Sequence, residues 1–152
     1  MSSIKKNIAG KKFSAKKGLN VGIVQSEYNQ TISEALLKRC KKTLLESGVS
    51  EKSISLVKVP GAFEIPYACQ KMINSKKPDV VIAMGAIIKG GTPHFKYIAS
   101  SCAQGIMDVS LKTGVPIIFG VLTTNNLAQA KARASKGTEA AQAAVQISNF
   151  NF

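Results

Sequence analysis

The sequence has no long hydrophobic run. Its longest apolar stretch, Val80–Ile88, is far shorter than the roughly 18–20 residues that a membrane-spanning helix needs. The basic N-terminus is not followed by an apolar segment of the kind found in secretory signals. With 152 residues, the chain is long enough to bury a core within one domain. We therefore expect a globular protein that is cytoplasmic and does not bind membranes.

Side chains that bind metals or form disulfides are scarce. His94 is the single histidine, and Cys40, Cys69 and Cys102 are far apart in the sequence, with no Cys-x-x-Cys pair. A tetrahedral zinc site would need several such ligands brought together by folding. We expect no metal, and we expect the three cysteines to be buried free thiols on the apolar faces of helices.

Arginine and acidic residues are also few. The 21 basic residues include two arginines, Arg39 and Arg133, and eight acidic residues leave a net charge of +13. Residues 1–17 hold six lysines and no acid, so we divide the chain into a Lys-rich N-terminal extension, 1–17, and a domain, 18–152. Nucleic-acid readers rely on arginine or on interleaved aromatic residues, and neither pattern is present. The lysines indicate a solvated surface or a weak electrostatic role toward anionic substrates or nucleic acid; we expect no specific nucleic-acid partner.

Strands and helices are predicted to alternate along residues 18–152. Short apolar runs predict four strands, at Leu19–Gln25, Ser53–Val59, Asp79–Ile88 and Pro116–Leu122. Helical periodicity predicts five helices. The first begins at a capping box formed by Thr31 and Glu34 and ends near Gly48. The others are predicted over Glu64–Ile73, Phe95–Thr113, Asn125–Ala134 and Thr138–Ser148, with Thr92 as the N-cap of the helix over Phe95–Thr113. This alternation predicts an α/β protein, a three-layer α/β/α sandwich around a four-stranded parallel sheet, which binds ligands beyond the carboxyl ends of its strands.

Chemically useful residues follow the predicted strands. Tyr28 follows the first strand, Glu64 the second, and a Gly90-Gly91-Thr92 loop leading to His94 the third. Singly, each has an ordinary structural explanation as a packed ring, a helix-start acid, a tight turn or a surface histidine. Together they offer a face for stacking, a carboxylate that accepts from hydroxyls, a phosphate-binding loop at a helix N-terminus and a neutral imidazole for proton transfer.

Three segments carry a resemblance to a known family. VPGAFEIP, GAIIKGGTPHF and FGVLTTNNLAQAKARA, in this order and spacing, resemble the lumazine synthases, and the similarity extends from about Leu19 to Ile147. The resemblance implies a flavodoxin-like fold, with room for an N-terminal strand that adds to a neighbouring subunit. It also implies an enzyme of the transferase class without cofactor or metal, which condenses 5-amino-6-(D-ribitylamino)uracil with 3,4-dihydroxy-2-butanone 4-phosphate in riboflavin biosynthesis.

The resemblance also implies roles for individual residues. His94 matches the proton-transfer residue, and Glu139 matches the acid that pairs with it. The pyrimidinedione and its ribityl chain would be bound by Tyr28, Ala62, Phe63, Glu64, Ala86, Ile87 and Ile88, with Phe119 contributed by a neighbouring subunit. The phosphate would be bound by Gly91, Thr92 and Arg133. Supporting residues of the whole site would be Asn29, Lys89, Lys136 and Glu139.

Three features depart from the family pattern. Tyr28 stands where Phe or Trp is commoner, and Lys89 stands where many members have arginine. Only Ala134 and Ser135 separate Arg133 from Lys136-Gly137, where most members have a longer Gly-rich connection. We expect a homopentamer and leave a 60-subunit icosahedral shell open. The alternatives are a flavin- or lumazine-binding protein of the same fold without catalysis and a shell that associates with nucleic acid.

Overall fold

The computed structural model describes residues 13–152, and nine regular elements cover most of them. The strands are β1 (Val21–Ser26), β2 (Ile54–Val59), β3 (Val80–Ile88) and β4 (Ile117–Thr124). The helices are α1 (Gln30–Glu46), α2 (Ile65–Lys76), α3 (His94–Thr113), α4 (Leu127–Ala132) and α5 (Lys136–Ser148). One-turn 3₁₀ helices at Glu51–Ser53 and Ala62–Glu64 precede β2 and α2.

The four strands form one parallel sheet in the order β2-β1-β3-β4. This confirms the prediction of a four-stranded parallel sheet, and the order is that of a flavodoxin-like fold. The chain reverses its direction of travel across the sheet between β1 and β3, so the loops that leave these two strands diverge to opposite faces. The gap between them is the crevice in which doubly wound sheets bind their ligands.

Helices cover both faces of the sheet, because alternate residues of each strand point to opposite sides. Ile23 of β1 packs in a core with α1 and α5, whereas its neighbour Val24 packs in a second core with α2 and α3. Cys40 lies in the first core and Cys69 and Cys102 in the second; all three are buried free thiols, as predicted. The result is the predicted three-layer α/β/α sandwich.

The predicted capping box at the start of α1 is wrong. The N-cap is Asn29, two residues before Thr31, so the helix begins at Gln30, and the amides of Ile32 and Ser33 donate to the backbone carbonyl of Asn29. Asn29 is in the left-handed conformation (φ 60°), and its side chain donates to the Ala86 carbonyl instead of capping the helix. The Glu34 carboxylate pairs with Lys58 Nζ of β2 at 3.1 Å.

Several predicted boundaries shift by a few residues. The third helix, α3, begins at His94 after Pro93, and Thr92 Oγ1 accepts only a long bond, 3.4 Å, from the His94 amide. Strand β4 continues two residues beyond its predicted end at Leu122. Within residues 13–152, none of the helices combines the length and hydropathy of a membrane-spanning segment. Residues 1–12, most of the predicted extension and any N-terminal strand, lie outside the described residues.

Candidate active site

A cleft of about 510 Å³ opens between the carboxyl ends of β1 and β3, where the sheet order reverses. We call it the switch-point cleft. Three connections build it: the β1–α1 turn, the 3₁₀ turn after β2 and the loop from β3 into α3. Its lining includes most of the residues predicted to bind substrate: Tyr28, Asn29, Ala62, Phe63, Glu64, Ala86, Ile87, Ile88, Thr92 and His94.

Backbone hydrogen bonds tie the connection after β1 to the neighbouring strand ends. The Tyr28 amide donates to the Pro60 carbonyl at 3.1 Å, which joins the connections after β1 and β2. Asn29 Nδ2 donates to the Ala86 carbonyl, also at 3.1 Å, which joins the β1 connection to β3. These contacts explain the left-handed Asn29, since a short amide side chain tolerates that conformation and completes the bond. The position of Tyr28 is therefore set by its backbone.

The switch-point cleft has a buried apolar floor and exposed aromatic walls. Ala62, Ala86 and Ile87 are buried, whereas the side chains of Tyr28 and Phe63 are 74% and 62% exposed. Large aromatic surfaces left in water beside a cleft are suited to stacking on a flat heterocycle. The exposure of Tyr28 argues against the alternative that it is simply a packed ring.

Glu64 stands at the end of the 3₁₀ turn, exposed beside Phe63. Its amide donates to the Gly61 carbonyl at 3.2 Å, and a Cβ at Gly61 would lie 3.2 Å from Glu64 Oε2. The absence of a side chain at Gly61 therefore leaves the carboxylate room to lie back along the turn. An exposed carboxylate beside an aromatic wall is suited to accept hydrogen bonds from the hydroxyls of a ligand.

The loop from β3 to α3 brings free backbone amides to the same cleft. Its start is fixed where the Lys89 amide donates to the Thr124 carbonyl at 2.8 Å. Gly90 and Gly91 have open space around their Cα atoms, so a ligand can approach the backbone closely. Thr92 and His94 follow at the N-terminus of the 20-residue helix α3, whose dipole favours an anion.

Of the remaining predicted residues, Lys89 and Gly91 do not line the switch-point cleft. The other four lie in a different cleft, about 430 Å³ in volume, along the free edge of β4. We call it the β4-edge cleft. It is lined by Phe119, Arg133, Ser135, Lys136 and Glu139, together with Val121, Leu122 and Thr123. Phe119 is 38% exposed, and the Arg133 guanidinium donates only to the Gln129 carbonyl at 3.4 Å, with no ion pair to another described residue. An aromatic ring and an unpaired guanidinium thus face solvent together.

One chain does not bring the predicted partners together. In the part of the chain that the structure describes, the two clefts share no lining residue. His94 is in the switch-point cleft and Glu139 in the β4-edge cleft, and Thr92 and Arg133 are divided in the same way. Phe119 is the third residue of β4, an edge strand, and pairs with Ala83 of β3.

The shortened connection after Arg133 is compact. The Lys136 and Gly137 amides donate to the carbonyls of Arg133 and Ala134, at 3.0 and 3.1 Å, so α4 turns directly into α5. A Cβ at Gly137 would overlap the backbone carbonyl oxygen of Leu36, so glycine is required where α5 crosses α1. The turn and this crossing together fix Arg133, Lys136 and Glu139 on one cleft wall.

Sequence reasoning did not assign several lining residues to a site, among them Phe95 and Ile98 in the switch-point cleft and Val121, Leu122, Thr123 and Ser135 in the β4-edge cleft. Phe95 and Ile98 fit the helical period of the core-facing residues of α3, so the sequence predicts them as core. The sequence does not show that the first turns of α3 extend beyond the sheet, where these two side chains line the cleft. Among residues 13–152, no three His, Cys, Asp or Glu side chains are grouped so that they could hold a metal ion.

The family model for 6,7-dimethyl-8-ribityllumazine synthase matches residues 18–151 of the 152-residue chain. The match covers every strand and helix described above and both clefts. It begins at Gly18, the first residue of the predicted domain. The chain therefore belongs to the 6,7-dimethyl-8-ribityllumazine synthase family.

Proposed function

We propose that the protein is a lumazine synthase. It condenses 5-amino-6-(D-ribitylamino)uracil with 3,4-dihydroxy-2-butanone 4-phosphate to 6,7-dimethyl-8-ribityllumazine, phosphate and water, the penultimate step of riboflavin biosynthesis. The observation that carries the proposal is the switch-point cleft. In a chain of this family, an exposed ring, a carboxylate, a glycine loop at a helix N-terminus and the single histidine converge on one crevice.

The pyrimidinedione and its ribityl chain occupy the switch-point cleft in this proposal. Tyr28 stacks on the ring, since its face is exposed beside the apolar floor. Residues 86–88 contact the ring edge through the backbone where β3 ends. Phe63 and Glu64 hold the ribityl chain, with the carboxylate accepting from its hydroxyls. This division places the flat apolar ring against the floor and the polar chain along the rim.

The phosphate of the second substrate binds the Gly91-Thr92 loop at the start of α3. A dianion there also calls for a fixed cation, and Arg133 is the family's candidate. Arg133 lies in the β4-edge cleft of its own chain, so the proposal requires the β4-edge cleft of a second copy to face the switch-point cleft. Phe119, Lys136 and Glu139 would arrive with it. We accordingly propose a homo-oligomer, a pentamer, and leave the 60-subunit shell open.

The chemistry is a condensation that needs proton transfers but no redox step. The 5-amino nitrogen attacks the substrate ketone, water leaves as a Schiff base forms, phosphate is eliminated, and the ring closes with loss of a second water. His94 moves protons at the reacting nitrogen and oxygen, with Glu139 of the neighbour orienting the imidazole. Holding two reactants in register accounts for much of the rate, worth up to about 7–11 kcal/mol in favourable cases. We therefore propose a cytoplasmic enzyme without cofactor or metal.

The direct test is to incubate the full-length protein with both substrates and to follow the absorbance of the lumazine product. We expect product formation well above the uncatalysed rate. No excess over that rate would contradict the proposal, and tight flavin binding without product would favour the alternative of a non-catalytic binding protein.

Two variants test the site assignment. His94→Ala should lower kcat by roughly tenfold, because general acid–base help is lost while positioning remains. Arg133→Ala should chiefly raise KM for the phosphate substrate, by about 10–100-fold, and leave KM for the pyrimidinedione unchanged. Wild-type kinetics in both variants would remove these residues from the site.

A further inference from the structure

The switch-point cleft continues outward into a second depression of about 520 Å³, on the far side of the glycine loop. We call it the outer groove. It shares Gly90, Thr92 and Phe95 with the switch-point cleft and adds Lys89, Gly91, Pro93, Lys96 and Asn125. A molecule held at the Gly91-Thr92 loop would therefore be open to both cavities at once.

The charge of the outer groove has one sign. Among residues 13–152, Lys89 and Lys96 are its ionisable lining residues, and no carboxylate lines it. Both side chains are exposed, and neither ammonium forms an ion pair with another described residue. An unpaired cation gains more from an anionic ligand than a cation whose charge is already compensated.

The two lysines flank the glycine loop, one before it and one after it. The Lys89 amide donates to the Thr124 carbonyl, so the residue is fixed where β3 and β4 end. Lys96 lies in the first turn of α3, and helical side chains lean toward the N-terminus of their helix. The stem of Lys96 therefore extends back over the turn that contains Thr92 and Pro93.

Lys96 also breaks a local rule of helix design. A cation in the first turn opposes the helix dipole, and no acidic residue in that turn of α3 offsets it. Residues that break a local preference without a visible structural gain mark functional positions. The geometry offers no such gain for Lys96, since its side chain bonds to no described residue.

We infer that Lys96, assisted by Lys89, determines specificity for the phosphorylated substrate by attracting its phosphate from the outer side of the glycine loop. The inference rests on the proposed function and adds a contact from the same chain, opposite the Arg133 of a neighbouring copy. Lysine suits this position because an exposed ammonium acts as a point charge without requiring a fixed geometry.

The test compares Lys96→Gln with Lys112→Gln in the full-length assembled enzyme. Lys112 is an exposed lysine on the same helix, about 24 Å further along its axis, and forms no ion pair with a described residue. At an ionic strength of about 20 mM, we expect Lys96→Gln to raise KM for 3,4-dihydroxy-2-butanone 4-phosphate by about fivefold, with kcat and the pyrimidinedione KM unchanged. The difference should shrink below about twofold at 0.5 M salt, and Lys112→Gln should match wild type throughout.

A binding measurement separates this inference from the proposed function. Inorganic phosphate titrated against the three proteins by calorimetry should bind wild type and Lys112→Gln alike and Lys96→Gln about fivefold more weakly. If wild type forms no lumazine but this ordering holds, the proposed reaction fails and the anion-binding role of Lys96 stands. If Lys96→Gln equals Lys112→Gln in phosphate affinity and in KM, or if its loss persists unchanged at high salt, the inference is overturned.

Discussion

The switch-point cleft and the β4-edge cleft differ in how the fold produces them. The first follows from topology, because three loops at the carboxyl ends of adjacent parallel strands must meet where the sheet order reverses. The second lies beside an edge strand, between the middle of β4 and the turn joining α4 to α5. One cleft is thus a crevice inside the fold, whereas the other is a depression on its rim.

Their side chains are complementary. The switch-point cleft supplies free amides, a carboxylate and an imidazole, but Arg133 lies in the other cleft. The β4-edge cleft supplies that guanidinium and an exposed phenyl ring. One chain therefore holds two unlike halves of a site. The strongest test of this interpretation is to damage one half in one chain and the other half in another chain.

The largest effect is expected from co-expressing two inactive variants. Glu64→Ala/His94→Ala damages the switch-point cleft, and Arg133→Glu damages the β4-edge cleft; alone, each should retain below about 1% of wild-type lumazine formation. In randomly mixed oligomers, about a quarter of the interfaces join two intact halves, so activity should return to about a quarter of the wild-type value. The measurement is the specific activity of purified mixed oligomers.

A control mixture pairs Glu64→Ala/His94→Ala with Phe63→Ala/Thr92→Ala, which damages the same cleft and should restore nothing. Mixed oligomers of the first pair whose activity stays at the average of the two parents would show that each site is complete within one chain. That result would contradict the two-halves interpretation.

The division between the clefts also marks the limit of what the sequence could predict. Parallel strands place their carboxyl ends at one edge, so the meeting of Tyr28, Glu64 and His94 was predictable from strand order alone. The end of β4 was predicted two residues too early, at Leu122, whereas the strand continues to Thr124, which pairs with Ile88 of β3. Strand ends are set by ladder hydrogen bonds with β3, which no local pattern in the sequence records.

Asn29 shows the same limit on a smaller scale. Thr31 and Glu34 have the residue types and spacing of a capping box, but tertiary partners compete for the side chains involved. Asn29 bonds Ala86 across the switch point, and Glu34 bonds Lys58 on β2. Local sequence thus predicted the helix correctly, and contacts from residues distant in sequence decided how the helix begins.

Glycine substitutions should sharpen the comparison at the level of stability. A Cβ at Gly137 would overlap the Leu36 carbonyl oxygen, which is fixed in α1, and a Cβ at Gly85 would overlap Ser26 Oγ, which can rotate. We expect Gly137→Ala to lower the free energy of unfolding by about 2–3 kcal/mol and Gly85→Ala by about 1–2 kcal/mol. Urea denaturation followed by circular dichroism measures both.

Gly90→Ala is the matched control, because nothing lies within 4 Å of its added Cβ. It should change the free energy of unfolding by less than about 0.5 kcal/mol. Equal destabilisation by all three substitutions would show that the loss reflects glycine content and not the close approaches beneath the two clefts.

The smallest effect concerns the three thiols, which report on the two faces separately. Burial raises the pKa of Cys40 and Cys69 to about 12 and that of Cys102 to about 11, so the native thiols stay protonated at pH 8. Unfolded thiols ionise near pH 8.5, so the free energy of unfolding should fall as the pH rises from about 9 toward 11. Alkylation at pH 8 therefore proceeds through opened states, and mass spectrometry measures its rate at each cysteine.

The two glycine variants should redistribute this labelling. Gly137→Ala loosens the contact between α5 and α1 and should speed alkylation of Cys40, which lies one turn beyond Leu36 on α1. Gly85→Ala disturbs the face on which Cys69 and Cys102 are buried and should speed those two instead. If both variants accelerated alkylation of all three thiols equally, the two helical layers would open as one unit. Different labelling of Cys40 and of Cys69 and Cys102 requires that the two faces of the sheet open separately.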